Sequence, residues 1–218
     1  MSRPARPSTI DILDQIANDF IRRDLALHYT DDTPLDGRIV SIKGRELINF
    51  GSCSYMGFEV HPDLARGAAE AARRYGTQFS SSRAFISLGA YAPLEEMLGQ
   101  IFHKPLLVSA STTLGHMAAL PVLVRDEDAV ILDLQVHHSV QTAAQLLKAR
   151  GIPLHIIRHN DMDQLELKIR HLQNRHRRIW YLADGVYSMF GDFAPMDRLT
   201  DLMNRYEGSM PTSMTPTA

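Results

Sequence analysis

An α/β fold of three layers, α-β-α around a mainly parallel sheet, is predicted by two features of this sequence. From residue 106 onward, apolar runs of four or five residues alternate with helical patterns of eleven or twelve. Such alternation implies right-handed crossovers and parallel strands. Small polar clusters also follow the apolar runs directly. In open α/β sheets, ligands sit beyond the carboxyl ends of the strands.

The elements follow in order. Residues 1–8 are rich in Pro, Ser and Arg and are predicted to be loose. Ile10, Leu13, Ile16, Phe20 and Leu25 form one stripe, so an amphipathic helix is expected from Ile10 to about His28, with Thr9 as N-cap. Residues 38–50 read as a β-hairpin turning at Lys43-Gly44, followed by the loop Gly51-Ser-Cys-Ser-Tyr-Met-Gly57. Pro62 opens an alanine-rich helix that runs to Tyr75, with Gly76 just past its end. Residues 93–103 carry a further helical pattern. The regular part then predicts strands at Leu106–Ser109, Ala129–Leu132, Leu154–Ile157 and Ile179–Ala183. Between and after them it predicts helices at Thr112–Leu123, Ser139–Arg150, Met162–Gln173 and Met196–Tyr206, the third with Asp161 and Gln164 as a capping box. The tail from Gly208 to Ala218 has low complexity and is expected to be disordered.

Composition narrows the function classes. The chain has 218 residues, 44% hydrophobic and 22% charged, as in a soluble globular protein of one large domain. A net charge of −2 gives no broad basic surface for nucleic acid. One cysteine, Cys53, excludes an intrachain disulfide and points to the cytoplasm. No signal peptide and no apolar run long enough for a membrane span is read from the sequence. No glycine-rich lysine loop, dinucleotide fingerprint or metal-ligand spacing is present, and His155, His159, His171 and His176 form no such pattern.

Four polar clusters could carry chemistry. Ser109-Ala-Ser-Thr-Thr113 lies between a predicted strand and helix, where small hydroxyl residues and free backbone N–H groups suit a phosphate. Ser111 or Thr112 would serve equally as a plain N-cap. Asp133-Leu-Gln-Val-His137-His-Ser139 follows the next strand, and His137 could stack on a planar ring or simply be a bonded loop residue. Asp184-Gly-Val-Tyr-Ser188-Met-Phe-Gly-Asp192 follows the last strand, with a tight surface turn as the plain alternative. Ser80-Ser-Ser-Arg83 offers an arginine for a carboxylate, whether of a substrate or of the protein surface.

The order and wording of five segments are similar to a known family. They are Ile48-Asn-Phe-Gly-Ser-Cys-Ser-Tyr-Met-Gly57; Tyr75-Gly-Thr with Ser82-Arg83, Gly89 and Leu94-Glu95; Asp133 with His137 and Ser139; His159-Asn-Asp-Met-Asp163; and Asp184-Gly-Val-Tyr-Ser-Met with Gly191-Asp192 and Ala194-Pro195. Over roughly residues 30–207 the chain resembles the N-terminal half of the α-oxoamine synthases, pyridoxal-phosphate enzymes of the aspartate-aminotransferase fold. The resemblance implies pyridoxal 5'-phosphate (PLP) as cofactor, with an amino acid and an acyl-CoA-type thioester as substrates. It implies His137 on the pyridine ring, Ser188 near the ring hydroxyl, Asp184 supporting that strand end, and the backbone of Ser111, Thr112 and Thr113 on the phosphate. Ser54, Tyr55 and Arg83 would lie on the substrate side, with a dimer interface nearby.

Departures from the family pattern are also legible. The phosphate loop lacks the usual glycine and aromatic pair, Ser54 replaces a common asparagine, and Tyr91 stands near a frequent histidine. These lean towards the autoinducer-synthase-like branch. The family's cofactor-anchoring lysine and the aspartate facing the ring nitrogen would fall beyond the end of this chain. Of the four lysines, Lys43, Lys104, Lys148 and Lys168, none is predicted at a strand end near the site. The resulting expectation is an N-terminal helix, hairpin and arm over 1–60, a partial cofactor-binding domain over 61–207 and a tail over 208–218. The parent activity would be decarboxylating acyl transfer to the α-carbon of an amino acid, with aminotransfer as the runner-up. A non-catalytic subunit pairing with a full-length homologue, or an inactive truncated fragment, are the further readings.

Overall fold

The computed structural model describes residues 8–80, 82–206 and 208. The predicted loose N-terminus lies outside these residues except for Ser8, and the predicted disordered tail lies outside them except for Gly208. The chain divides into two compact units, Met1–Leu88 and Gly89–Ala218. The helix at 62–75, grouped with the later segment on sequence, belongs to the first unit.

In the first unit, helix α1 spans Thr9–Arg22. Its N-cap is Ser8 rather than Thr9, in a capping box with Asp11: Asp11 N donates to Ser8 Oγ and Ser8 N donates to Asp11 Oδ2. The helix ends six residues short of the predicted His28, because Asp24 and Leu27 adopt positive φ of 56° and 58°. Strands β1 (Ile39–Ile42) and β2 (Arg45–Ile48) form the expected antiparallel hairpin, Ile42 pairing with Arg45. Lys43 and Gly44 both have positive φ, as a two-residue hairpin turn that matches strand twist requires. Helix α2 occupies Pro62–Tyr75, with the predicted bounds.

The second unit is an α-β-α sandwich. It opens with α3 (Tyr91–Phe102) and α4 (Thr112–Leu123). Then come β3 (Ala129–Asp133), α5 (His138–Ala149), β4 (Leu154–Ile157), α6 (Met162–Leu172) and β5 (Ile179–Leu182). Residues 106–109 do not form the predicted strand. A strand needs a ladder partner, and here Val108 N donates to the Glu95 carboxylate instead, at 2.8 Å, while Leu107 is exposed. The sheet is parallel in the order β4-β3-β5, with Asp133 opposite Ile157 and Leu132 opposite Leu182.

Alternation along β3 explains both cores. Ala129 and Ile131 point to one face, where Leu165 and Ile169 of α6 and Leu199 and Leu202 of α7 (Met196–Arg205) cover them. Val130 and Leu132 point to the other, under Leu120 of α4 and Val140, Ala144 and Leu147 of α5. All five β3 residues are buried, as expected for a strand covered on both faces. Burying one such Val, Ile or Leu side chain contributes about 1.5–3 kcal/mol.

Between β5 and α7 the sequence suggested a polar ligand-facing cluster or, as the plain alternative, a tight surface turn. The structure forms a two-residue antiparallel ribbon there, β6 (Val186–Tyr187) with β7 (Asp192–Phe193). Gly191, at φ 67°, closes it by donating its N–H to Tyr187 O at 2.8 Å.

Candidate active site

The second unit collects its polar side chains at the carboxyl ends of β3 and β5. After β3 the chain turns through Gln135, whose N–H donates to Asp133 Oδ1, and reaches His137, the N-cap of α5. The backbone N–H of His137 donates to Asp184 Oδ2 at 2.8 Å. Asp184 stands two residues past the end of β5 and is 4% exposed. One carboxylate oxygen therefore joins the ends of adjacent strands across 47 residues of sequence. Its other oxygen, Oδ1, is buried without a hydrogen-bond partner. Such an atom is costly to leave unmatched, and active sites and ligand sites are where it is tolerated.

His137 itself is exposed, and its Nδ1 accepts from Ser139 N at 3.2 Å. Ser139 Oγ lies 2.7 Å from the same nitrogen and 3.0 Å from Nδ1 of His116. His116 and Ser139 are both buried, where α4 packs on α5. Burial, followed by the neighbouring His137, holds the His116 imidazole below its ordinary pKa, and Asp184 opposes this in part.

One turn before His116 is the start of α4. Ser111 is its N-cap, accepting from Leu114 N at 3.2 Å, and Ser109 Oγ donates to Ser111 O at 2.8 Å. Ser111, Thr112 and Thr113 are exposed, so the N-cap reading holds and the helix's first amides remain at the surface. Ser188 is exposed at the first position after β6. His137 and Asp184 are thus joined directly, Ser139 links His137 to His116 one helical turn past the start of α4 at Ser111–Thr113, and Ser188 follows on the ribbon.

The remaining three belong to the first unit. Ser54 is half-buried and donates its hydroxyl to Glu59 Oε2. Tyr55 is exposed. Arg83 is half-buried, with Nε 3.4 Å from Ser87 Oγ.

Sequence reasoning missed a second polar cluster at the same end of the sheet. His159, after β4, places Nδ1 2.9 Å from Asp133 Oδ1 and Nε2 2.9 Å from Asp192 Oδ2. Asn160 adds its backbone N–H to Asp133 Oδ2 and its side-chain amide to Phe193 O. The His159 ring packs edge-on to Tyr187 and stacks on Phe190. Ser139 and His159 stand in two of the family-like segments but carried no assigned role, and His116 gave no motif; it falls four residues before Leu120 on the apolar face of its helix, and a histidine at a core-facing position was the available signal.

No family model matches the chain. It is 33% identical over 190 residues to the 8-amino-7-oxononanoate synthase of Maricaulis maris, which covers 85% of this chain and 47% of that protein. It is 35% identical over 163 residues to a putative 8-amino-7-oxononanoate synthase 2 of Mycobacterium tuberculosis, covering 74% of this chain and 20% of that protein. The chain is homologous to the N-terminal part of the α-oxoamine synthases. It spans about half the length of the Maricaulis maris family member. The fold is also that of family enzymes of known structure. A serine palmitoyltransferase from S. paucimobilis, solved with bound PLP-myriocin aldimine, superposes with a TM-score of 0.81 at 20% identity, over 92% of this chain and 50% of that one. The serine palmitoyltransferase of Sphingomonas wittichii gives 0.80 at 22% identity, over 93% and 51%. Among the described residues no helix is long and apolar enough to cross a membrane.

Proposed function

We propose that this chain forms the cofactor-facing part of a PLP-dependent acyltransferase that joins an acyl thioester to the α-carbon of an amino acid. The observation that carries this reading is the 2.8 Å bond from His137 N to Asp184 Oδ2, which ties together the two strand ends to which the resemblance assigns ring-binding residues. The residues present fit the group. His137 offers an exposed flat ring, Asp184 a buried oxygen without a partner, and α4 an exposed N-terminus suited to a phosphate.

His137 would stack on the pyridine ring, and Ser188 would hydrogen-bond near the ring hydroxyl. Asp184 would hold the strand end, and the backbone of Ser111, Thr112 and Thr113 would take the phosphate. Ser54, Tyr55 and Arg83 would serve the amino-acid and acyl-CoA-type substrates, Arg83 by pairing with a carboxylate. When bound, the cofactor supplies an electron sink for the α-carbon.

A second reading makes the chain a cofactor-binding subunit beside a full-length homologue; within residues 1–218 the lysines lie away from the site, so an anchoring lysine would come from outside them. Lys43 lies in the β1–β2 turn, paired with Asp24, and Lys104 lies just past α3. Lys148 is in the last turn of α5, at the opposite end from His137, and Lys168 is within α6. None stands at the carboxyl end of a sheet strand, where a lysine anchoring the cofactor is needed.

Spectrophotometric titration with PLP, then borohydride, tests both readings. Saturable uptake that dialysis reverses, with no lysine adduct by mass spectrometry, is the expected result. A borohydride-fixed lysine would assign the chain catalysis of its own. Absence of saturable uptake would overturn the cofactor site.

A further inference from the structure

We infer that His116 and Ser139 are positioning residues that hold the His137 ring in a single tautomer, protonated on Nε2. The inference deepens the reading of His137 as the ring-stacking group and rests on it for its functional meaning, but its geometry is independent of any ligand.

The argument is one of proton counting. A backbone N–H can only donate, so the 3.2 Å contact from Ser139 N requires a lone pair on His137 Nδ1. The His137 proton then belongs on Nε2. Ser139 Oγ, 2.7 Å from that same Nδ1, has one hydrogen. Were that hydrogen turned to His116, two lone pairs would face each other at 2.7 Å. The hydroxyl therefore donates to His137 Nδ1, and its own oxygen must accept from the third group within reach. That group is His116 Nδ1, at 3.0 Å, which must carry a proton. The order that runs from His116 Nδ1–H to Ser139 Oγ–H to His137 Nδ1, where the hydroxyl and the Ser139 N–H share one lone pair, avoids the clash of the reverse order, in which His137 Nδ1–H would face Ser139 N–H.

The surroundings support this direction. Ser139 and His116 are 3% and 8% exposed, so water does not readily substitute for either partner. Burial favours the neutral form of His116, which then has one N–H to place. The N–H not committed to the relay is fixed by the hydrogen bond made at the other nitrogen, the usual way a protein selects a histidine tautomer. His137 is left with an oriented ring whose Nε2–H is free of the relay.

The test uses the full chain without cofactor. Long-range ¹H–¹⁵N spectra of histidine-labelled protein report which ring nitrogen is protonated. The wild type is expected to show His137 as the Nε2–H form and His116 as the Nδ1–H form. Ser139→Ala should raise the minor Nδ1–H form of His137 about tenfold, the equilibrium weight of one net hydrogen bond. His116→Phe should shift it the same way, while Ser139→Thr, which keeps a hydroxyl, should restore the wild-type pattern. Backbone amide spectra verify folding, and if Ser139→Ala does not fold, His116→Phe against His116→Gln carries the comparison. An unchanged His137 tautomer in both disrupting variants, or a wild-type His116 protonated only on Nε2, would overturn the relay. PLP titration separates the two levels: a wild type that ignores PLP removes the cofactor reading, while the tautomer pattern still decides the relay.

Discussion

His159 Nδ1 stands 2.9 Å from Asp133 Oδ1, at the end of the central strand, and its second nitrogen is equally close to Asp192 on the ribbon. With a carboxylate at each nitrogen, the imidazolium form has an acceptor for both of its N–H groups. Burial opposes that charge, but the hydrogen bonds and charges of Asp133 and Asp192 prevail, and the His159 pKa is raised. A raised folded-state pKa gives stability that is fully present below the unfolded value of about 6.5 and is lost as pH rises through the folded value. His116 and His155, whose pKa values burial lowers, give the opposite trend, so the comparison is between proteins: from pH 6 to 9 the stability advantage of the wild type over His159→Gln in denaturant unfolding should shrink as pH rises. An equal pH slope in both proteins would remove that contribution.

Asp128 locks the opposite end of the sheet. Its Oδ2 accepts from Trp180 Nε1 at 2.9 Å, Arg177 at 2.7 Å and Arg125 N at 2.9 Å. The side chain is fully buried, and burial pushes its pKa up, but these three donors outweigh it and the net shift is down. Asp128→Ala strands a buried indole N–H and a backbone N–H, while the exposed Arg177 turns to water, so a loss of about 1–3 kcal/mol is expected. The depressed pKa makes the wild type's contribution present above about pH 4 and lost as pH falls through the folded value. Acid titration of the wild type and of Asp128→Asn, followed by tryptophan fluorescence, checks both statements.

How much of this was legible in sequence depends on how local the cause was. The bounds of α2, α4 and β4 are those predicted, because a proline start, a glycine stop and an unbroken apolar period act within a few residues. Leu106–Ser109 carries the same apolar signal as β4 but found no ladder partner among the described residues, a fact no local pattern contains. At the site, His137 and Asp184 could be placed because each directly follows a strand pattern. His116 to Ser139 and His159 to Asp192 close over 23 and 33 residues, and exist only once helices and ribbon have packed.

Tyr187 tests the cost of an unmatched polar atom. It is 1% exposed, with its ring edge-on to His159, and its buried hydroxyl makes no well-formed hydrogen bond, only longer contacts with Asp133, Tyr181 and the Asp184 backbone. Removing an unsatisfied hydroxyl while keeping the ring relieves a desolvation penalty of about 1–3 kcal/mol. Tyr187→Phe should therefore be neutral or more stable, by up to about 1 kcal/mol. A clear loss in thermal unfolding would reveal a partner for the hydroxyl.

His137 should matter for cofactor uptake and little for folding. Its side chain is exposed, and its only close side-chain contacts, from Ser139 N and Ser139 Oγ to Nδ1, share one acceptor at the start of α5. A stacked ring pair contributes about 1 kcal/mol, so His137→Phe should keep PLP affinity within a few-fold while His137→Ala weakens it about fivefold. Equal affinities for all three proteins would take the ring off the cofactor.

Asp184 separates the structural tie from the ligand site, because its two oxygens do different things. Oδ2 holds His137 N–H, whereas Oδ1 is buried and unpaired. An asparagine can still accept that N–H through its amide oxygen, and replaces the unpaired oxygen with a donor. An alanine does neither. Asp184→Asn should thus stay within about 1 kcal/mol of wild-type stability, while Asp184→Ala loses about 1–3 kcal/mol for the stranded N–H. If the unpaired oxygen serves the cofactor site, PLP affinity falls in both variants, and in Asp184→Asn it falls without the loss of stability. If instead Asp184→Asn binds PLP as the wild type does, Asp184 is a strand tie alone, and the unpaired oxygen belongs to the fold.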